Sequence, residues 1–151
     1  MGIRPWRMAV LLVAGTAVGL VWNGLSGRGF ALSTNVFVRP GDELIQAAEA
    51  KARLDKGALF LDARPLDFYK MEHIPGALPL PEDDFDRAFA LIEPTLRSRF
   101  DLVVYCSGYG CEASHIVAGK LKERGIQAAI LNEGWPAWTE ARYPTQTGKQ
   151  P

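Results

Sequence analysis

Short apolar runs alternate with amphipathic stretches along the chain from residue 33 onward. Continuous apolar runs predict buried strands, and apolar residues at helical spacing predict the helices between them. The predicted strands span 58–61, 102–105 and 128–131, and the predicted helices span 43–54, 84–99, 112–124 and 135–141. Pro94 is expected to bend or shorten the second of these helices. This alternation predicts an α/β fold, an open and mostly parallel sheet with helices on both faces.

Residues 1–32 follow a different pattern. An apolar run begins at Met8 and, extended through Leu25, has about 18 residues, which would span roughly 27 Å as a helix. Trp6 and Trp22 bracket it as interfacial aromatic residues do. We therefore predict a membrane anchor. The arginines that precede it favour a cytoplasmic N-terminus, which would place the rest of the chain on the extracytoplasmic, periplasmic side.

Two other interpretations of this segment remain open. The small residues of Gly29-Phe30-Ala31 suit the cleavage site of a signal peptide, which would leave a secreted domain. A soluble helix packed on the domain is disfavoured because no polar face is evident. The predicted organisation is an anchor or signal over 1–32, one domain over 33–147 and a tail over 148–151.

Charge and cysteine content exclude several classes of protein. Lysine plus arginine and aspartate plus glutamate number 17 each, and no basic patch is visible, so we expect no nucleic-acid partner. The two cysteines are too few for a disulfide scaffold, and no second Cys/His pair completes a zinc site. Both cysteines fall in one short segment, which indicates a site.

The candidate site begins at Cys106, where a predicted strand ends. A glycine-containing turn then leads into a helix, and ligands of open α/β sheets bind outside the carboxyl ends of the strands. The N–H groups of such a loop hold anions and lower the pKa of a thiol. We therefore predict that Cys106 is a nucleophile. The substrate-binding loop is predicted to comprise Ser107, Gly108, Tyr109, Gly110, Cys111 and Glu112.

The chain after about residue 40 resembles the rhodanese (sulfurtransferase) family. The resemblance rests on three segments that occur in the family's order. They are Asp62-Ala63-Arg64 with His73-Ile74-Pro75-Gly76-Ala77, then Val103-Val104-Tyr105-Cys106, then Leu131-Asn132-Glu133-Gly134-Trp135-Pro136-Ala137-Trp138 with Tyr143-Pro144.

This resemblance implies a persulfide mechanism without a metal or organic cofactor. The thiolate of Cys106 would take a sulfane sulfur from a small donor such as thiosulfate. It would hold that sulfur as a persulfide and pass it to a thiophilic acceptor. Asp62 and Arg64 are expected to make supporting polar contacts under the loop, and His73 is expected to fix a turn.

The loop departs from the family pattern, which reads roughly C-x-x-G-x-R-S. Here it is about two residues longer before Ser114, and Cys111 and Glu112 stand where the family has arginine. Missing positive charge disfavours a phosphatase and makes thiosulfate a poorer donor than a persulfide or polysulfide.

Three functions therefore remain open at this stage. The first is an enzyme of the rhodanese type that carries sulfur on Cys106, with Cys111 as a resolving thiol or a packed small residue. The second is a thiol–disulfide redox module that uses Cys106 and Cys111. The third is a catalytically silent rhodanese fold that binds a partner.

Overall fold

The computed structural model of the protein describes residues 5–25, 39, 41–108 and 111–148. Helix α1 (Pro5–Leu25) is a unit by itself, and its side chains from Trp6 to Trp22 are exposed. None of the helices in the described residues combines the length and the apolarity that crossing a bilayer requires. The predicted anchor is therefore not supported, and the location of the domain stays a prediction. The predicted signal-cleavage residues 29–31 lie outside the described residues.

Five short strands form one parallel sheet in the second unit. Its central strand, β4, lies between β5 and β2. The chain continues from β4 to β5 on one side of the sheet and from β2 to β3 on the other. The strands are β1 (Leu44–Ile45), β2 (Leu59–Asp62), β3 (Leu78–Pro79), β4 (Leu102–Tyr105) and β5 (Ala129–Leu131), in the order β1-β5-β4-β2-β3. The carboxyl ends of β4 and its neighbours are where such a sheet places a ligand site.

Helices cover both faces of this sheet. Helices α4 and α5 pack on one face, and α2, α3 and α6 contribute to the core on the other. The predicted α/β fold with helices on both faces is thus confirmed. The bounds are α2 (Ala47–Asp55), α3 (Leu66–Met71), a 3-10 turn (Glu82–Asp84), α4 (Phe85–Arg97), α5 (Ala113–Glu123) and α6 (Gly134–Glu140).

Successive strand residues supply the two cores in turn. Leu59 and Leu61 pack with Phe85 of α4 in one core, whereas Phe60 packs against Trp138 of α6 in the other, with ring centroids 5.7 Å apart. Strand residues that are buried on both faces explain why β2 and β4 read as continuous apolar runs in the sequence.

The sequence analysis missed three elements. Strands β1 and β3 have two residues each, too short for any periodicity to show, and β1 occupies what was predicted as the start of a helix. Helix α3 is a single short segment of six residues. Pro94, which was predicted to bend or shorten the helix, lies in the last turn of α4, and the helix continues past it to Arg97.

Candidate functional site

The loop between β4 and α5 carries both cysteines of the chain. Cys106 directly follows the last residue of β4, and Cys111 precedes α5. Both are free thiols. Tyr109 and Gly110 lie outside the described residues, so their part in the predicted substrate loop stays a prediction.

The sulfur of Cys106 lies inside the protein. Cys106 is only 3% exposed. The Ser114 hydroxyl, on the first turn of α5, donates a hydrogen bond to Sγ at 3.4 Å, and the backbone N–H of Gly108 also donates to it. The Cys106 thiol itself donates to the carbonyl oxygen of Cys111 at 3.4 Å. The loop and the helix start therefore enclose this sulfur with polar groups.

The two thiols influence each other's ionisation. The neighbouring Cys111 is the largest cause that raises the pKa of Cys106, because a thiol beside a thiolate resists losing its own proton. Burial raises the pKa further, and the donors from Gly108 and Ser114 offset only part of the effect. The Gly108 N–H acts in the direction expected of the loop, but the second thiol and burial, which the sequence pattern does not show, outweigh it.

Cys111 has the lower pKa of the two thiols. Its neighbour Cys106 is the largest cause that lowers the pKa of Cys111, to about 6, and the backbone N–H groups of Ala113 and Ser107 act in the same direction. Burial and the Glu82 carboxylate oppose this shift. Because a thiolate is the reactive form of cysteine, the lower pKa favours Cys111 as the more reactive sulfur of the reduced loop.

Two other residues of the predicted loop lie at the protein surface. Glu112 is exposed and precedes the first residue of α5 without a side-chain hydrogen bond to the helix start. Ser107 is also exposed, and its backbone N–H contributes to the site by facing Cys111.

The segment that follows β5 clamps the start of the loop. The Trp135 N–H donates to the carbonyl oxygen of Cys106 at 2.8 Å. Gly134 has a φ of +58°, and a Cβ there would lie 2.4 Å from that same oxygen. Gly108 fits closely against Pro136. A side chain at position 134 would therefore displace the backbone of Cys106.

A buried carboxylate joins the ends of the two central strands. Asp62 ends β2, is fully buried, and accepts a hydrogen bond from the Tyr105 hydroxyl at 2.8 Å. It also accepts from the guanidinium of Arg64 at 2.7 Å and from the Arg64 backbone N–H at 2.9 Å. Tyr105 directly precedes Cys106, so this cluster fixes the point where the loop leaves the sheet.

Arg64 is engaged on every side. Besides Asp62, it donates to the carbonyl oxygen of Glu72 at 2.7 Å, and its guanidinium lies 4.4 Å from the ring centre of Trp135. Arg64 and Asp62 thus make the supporting contacts that the resemblance implied. Arg64 also links this cluster to the segment that clamps the loop.

The histidines have structural partners. His73 is fully buried, its Nδ1 lies 2.8 Å from the carbonyl oxygen of Tyr69, and its backbone pairs with Gln146 in both directions. This arrangement fits the predicted role in fixing a turn. His115 lies on α5, where its Nδ1 is 2.7 Å from Asp42.

Sequence reasoning did not assign a site role to Ser114 or Gly134. The serine that closes the family's loop pattern was the available signal for Ser114. No local pattern signals Gly134, since its constraint comes from a loop that is distant along the chain.

These observations define an α/β protein with a thiol pair at the carboxyl end of its central strand. A family model described as "Rhodanese-like domain" matches residues 46–141. The chain therefore belongs to the rhodanese-like domain family.

Known proteins similar to this chain carry different names. An HTH-type transcriptional regulator of Mycobacterium tuberculosis, Rv0324, is 29% identical over 108 residues, and the match covers 71% of this chain. The chain spans about half of that relative, 46% of its length.

Solved structures give the same fold. A thiosulfate sulfurtransferase from Pseudomonas aeruginosa is 27% identical with a TM-score of 0.59, and the match covers 72% of this chain and 21% of that one. The Alr3790 protein from Anabaena sp. is 26% identical with a TM-score of 0.58, covering 68% and 81%. A shared fold does not by itself assign an activity.

Asp62→Asn should destabilise the domain by about 3–5 kcal/mol, because it leaves the buried charge of Arg64 uncompensated. Urea unfolding measures the change. Asp67→Asn is the matched control, since the Asp67 side chain is 91% exposed and pairs with Lys70 at the surface. Its effect should stay below about 1 kcal/mol. Equal effects of the two substitutions would contradict a structural role for the buried cluster.

Proposed function

We propose that the protein transfers sulfane sulfur through a persulfide on Cys106. The observation that carries the proposal is the enclosure of this sulfur at the end of β4, with the Ser114 hydroxyl at 3.4 Å and the Gly108 N–H as donors. Membership of the rhodanese-like family and the 27% identity to a named thiosulfate sulfurtransferase support sulfur transfer as the class of reaction.

The chemistry requires only that one sulfur atom change partners. A bond forms between the Sγ of Cys106 and the outer sulfur of a donor R–S–SH, the S–S bond of the donor breaks, and R–S⁻ leaves. The new sulfur on Cys106 carries negative charge as a persulfide anion, which the hydroxyl of Ser114 and the N–H of Gly108 stabilise by charge-assisted hydrogen bonds. A thiophilic acceptor then removes it, and Cys106 returns to a thiol.

The charges around the loop favour a donor of low charge. Glu82 acts on Cys111, Glu112 is exposed beside it, and Arg64 is occupied by Asp62. A thiosulfate dianion would meet carboxylates here without an arginine to hold it. We therefore propose a hydropersulfide or polysulfide as donor and a small thiol as acceptor.

The contact between the thiols favours a second candidate, a thiol–disulfide redox module. In that reaction the two thiols and an external disulfide R–S–S–R would give a Cys106–Cys111 disulfide and two R–SH. The hydrogen bond from the Cys106 thiol to the carbonyl oxygen of Cys111 supports this candidate, because it brings the two residues together. The lowered pKa of Cys111 also suits attack on a disulfide.

Cys111→Ser, which leaves Cys106 as the single cysteine, should gain one sulfur atom on prolonged incubation of the full chain with cysteine hydropersulfide. Intact mass and peptide mapping check this result, and the double substitution Cys106→Ser with Cys111→Ser is the control. The wild-type protein should carry the sulfur on Cys106. If Cys106 takes no sulfur in either protein, the persulfide proposal fails. A 106–111 disulfide in the wild type would then indicate the redox module, and its absence the silent binding domain.

Ser114→Ala should shorten the lifetime of the Cys106 persulfide about tenfold, because a hydrogen bond to a charged group contributes about 1.5 kcal/mol or more. The rate at which the persulfide sulfur passes to an added small thiol measures that lifetime. Ser98→Ala is the matched control, since the Ser98 hydroxyl donates at the end of α4 to Thr95 and is exposed. An unchanged lifetime in Ser114→Ala would exclude a role of this hydroxyl in holding the persulfide.

A further inference from the structure

We propose that Cys111 is the entry point for sulfur, which it takes from the donor and then passes to Cys106. This inference rests on the proposed function, since it assigns the path by which the Cys106 persulfide forms. It gives Cys111 a catalytic role that precedes that of Cys106.

The two cysteines differ in their accessibility to a donor. Cys106 is 3% exposed, and its sulfur is surrounded by Ser114, Gly108 and the carbonyl group of Cys111. Cys111 is only partly buried, at the entrance to α5. A donor molecule therefore reaches the sulfur of Cys111 before it reaches that of Cys106.

The two sulfurs also differ in reactivity, and this difference favours Cys111 as well. Cys111 has a pKa lowered to about 6 by its neighbour Cys106 and by the N–H groups of Ala113 and Ser107. Cys106 has a raised pKa, and its thiol donates to the carbonyl oxygen of Cys111. Attack by Cys106 on a donor would require a buried thiol to lose its proton next to an existing thiolate.

The first step uses the thiolate of Cys111. Its Sγ attacks the outer sulfur of R–S–SH, a bond forms between these two sulfurs, and the bond to R–S breaks. The products are Cys111–S–SH and R–S⁻. Sulfur changes partners without any further oxidant or reductant.

The second step uses the closeness of the two residues, since the Sγ of Cys106 lies 3.4 Å from the carbonyl oxygen of Cys111. The Sγ of Cys106 attacks the outer sulfur of Cys111–S–SH, and the proton of Cys106 passes to the sulfur of Cys111 that leaves. The products are Cys106–S–SH and Cys111–SH. Ser114 and Gly108 then hold the persulfide in the interior, where small acceptors reach it less readily than at the surface.

The test compares rates of sulfur uptake in the full chain at neutral pH, with cysteine hydropersulfide as donor. Cys111→Ser should load about tenfold more slowly than the wild type or worse, because its remaining thiol is only 3% exposed and a donor reaches it poorly. Cys106→Ser should still load one sulfur rapidly, and peptide mapping should place it on Cys111. Serine keeps a hydroxyl donor at position 106, so the Cys111 thiolate retains a partner.

A pH profile separates this role from a merely structural one. Wild-type uptake should rise as the pH passes through about 6, where Cys111 ionises. The profile of Cys111→Ser should move to higher pH. Glu82, Glu112 and Cys106 are the titratable groups around Cys111, and Glu82→Gln should shift the wild-type midpoint slightly downward because the carboxylate raises the pKa of Cys111.

Two results would overturn the relay. One is uptake by Cys111→Ser at the wild-type rate together with no uptake by Cys106→Ser, which would leave the Cys106 persulfide intact and remove Cys111 from its path. The other is release of hydrogen sulfide with formation of a 106–111 disulfide in place of a persulfide. If Cys106 forms no persulfide at all, prolonged incubation of Cys111→Ser will leave Cys106 without sulfur. That result distinguishes failure of the proposed function from failure of the relay alone.

Discussion

The buried carboxylate of Asp62 is the constraint on which the candidate site depends. A carboxylate that is removed from water is tolerated only if its oxygens are paired, and here Arg64 and the Tyr105 hydroxyl supply the partners. These bonds join the ends of β2 and β4. They fix Tyr105, and thereby set where Cys106 leaves the sheet. Arg64 in turn packs on Trp135, whose N–H holds the carbonyl oxygen of Cys106.

These contacts hold the loop that carries both thiols, and the two thiols differ in burial and in pKa. Cys106 is buried and its pKa is raised, whereas Cys111 is partly buried and its pKa is lowered. The same pairing would let sulfur or a disulfide move between the two residues, which connects the proposed sulfur transfer to its redox alternative.

Prediction from sequence succeeded where an element is long or buried on both faces. The runs that became β2, β4 and β5 and the helices α4 to α6 were placed within a few residues, because apolar periodicity reports burial directly. Strands β1 and β3 have no periodicity to read, and they exist because β5 and β2 pair with them. The position of Cys106 followed from the pattern. Its raised pKa did not, because that depends on a contact with Cys111 and on burial by α5.

The environments of the two thiols predict that Cys111 ionises before Cys106 in the reduced loop. The most direct test is a pH titration of the full chain with ¹³C-labelled cysteine, followed by the Cβ chemical shift of each residue and assigned with the two Cys→Ser variants. The account predicts that Cys111 titrates with a midpoint near pH 6 and that Cys106 stays protonated up to at least about pH 8.5, the ordinary pKa of a free thiol. Titration of Cys106 first, with Cys111 still protonated, would contradict it.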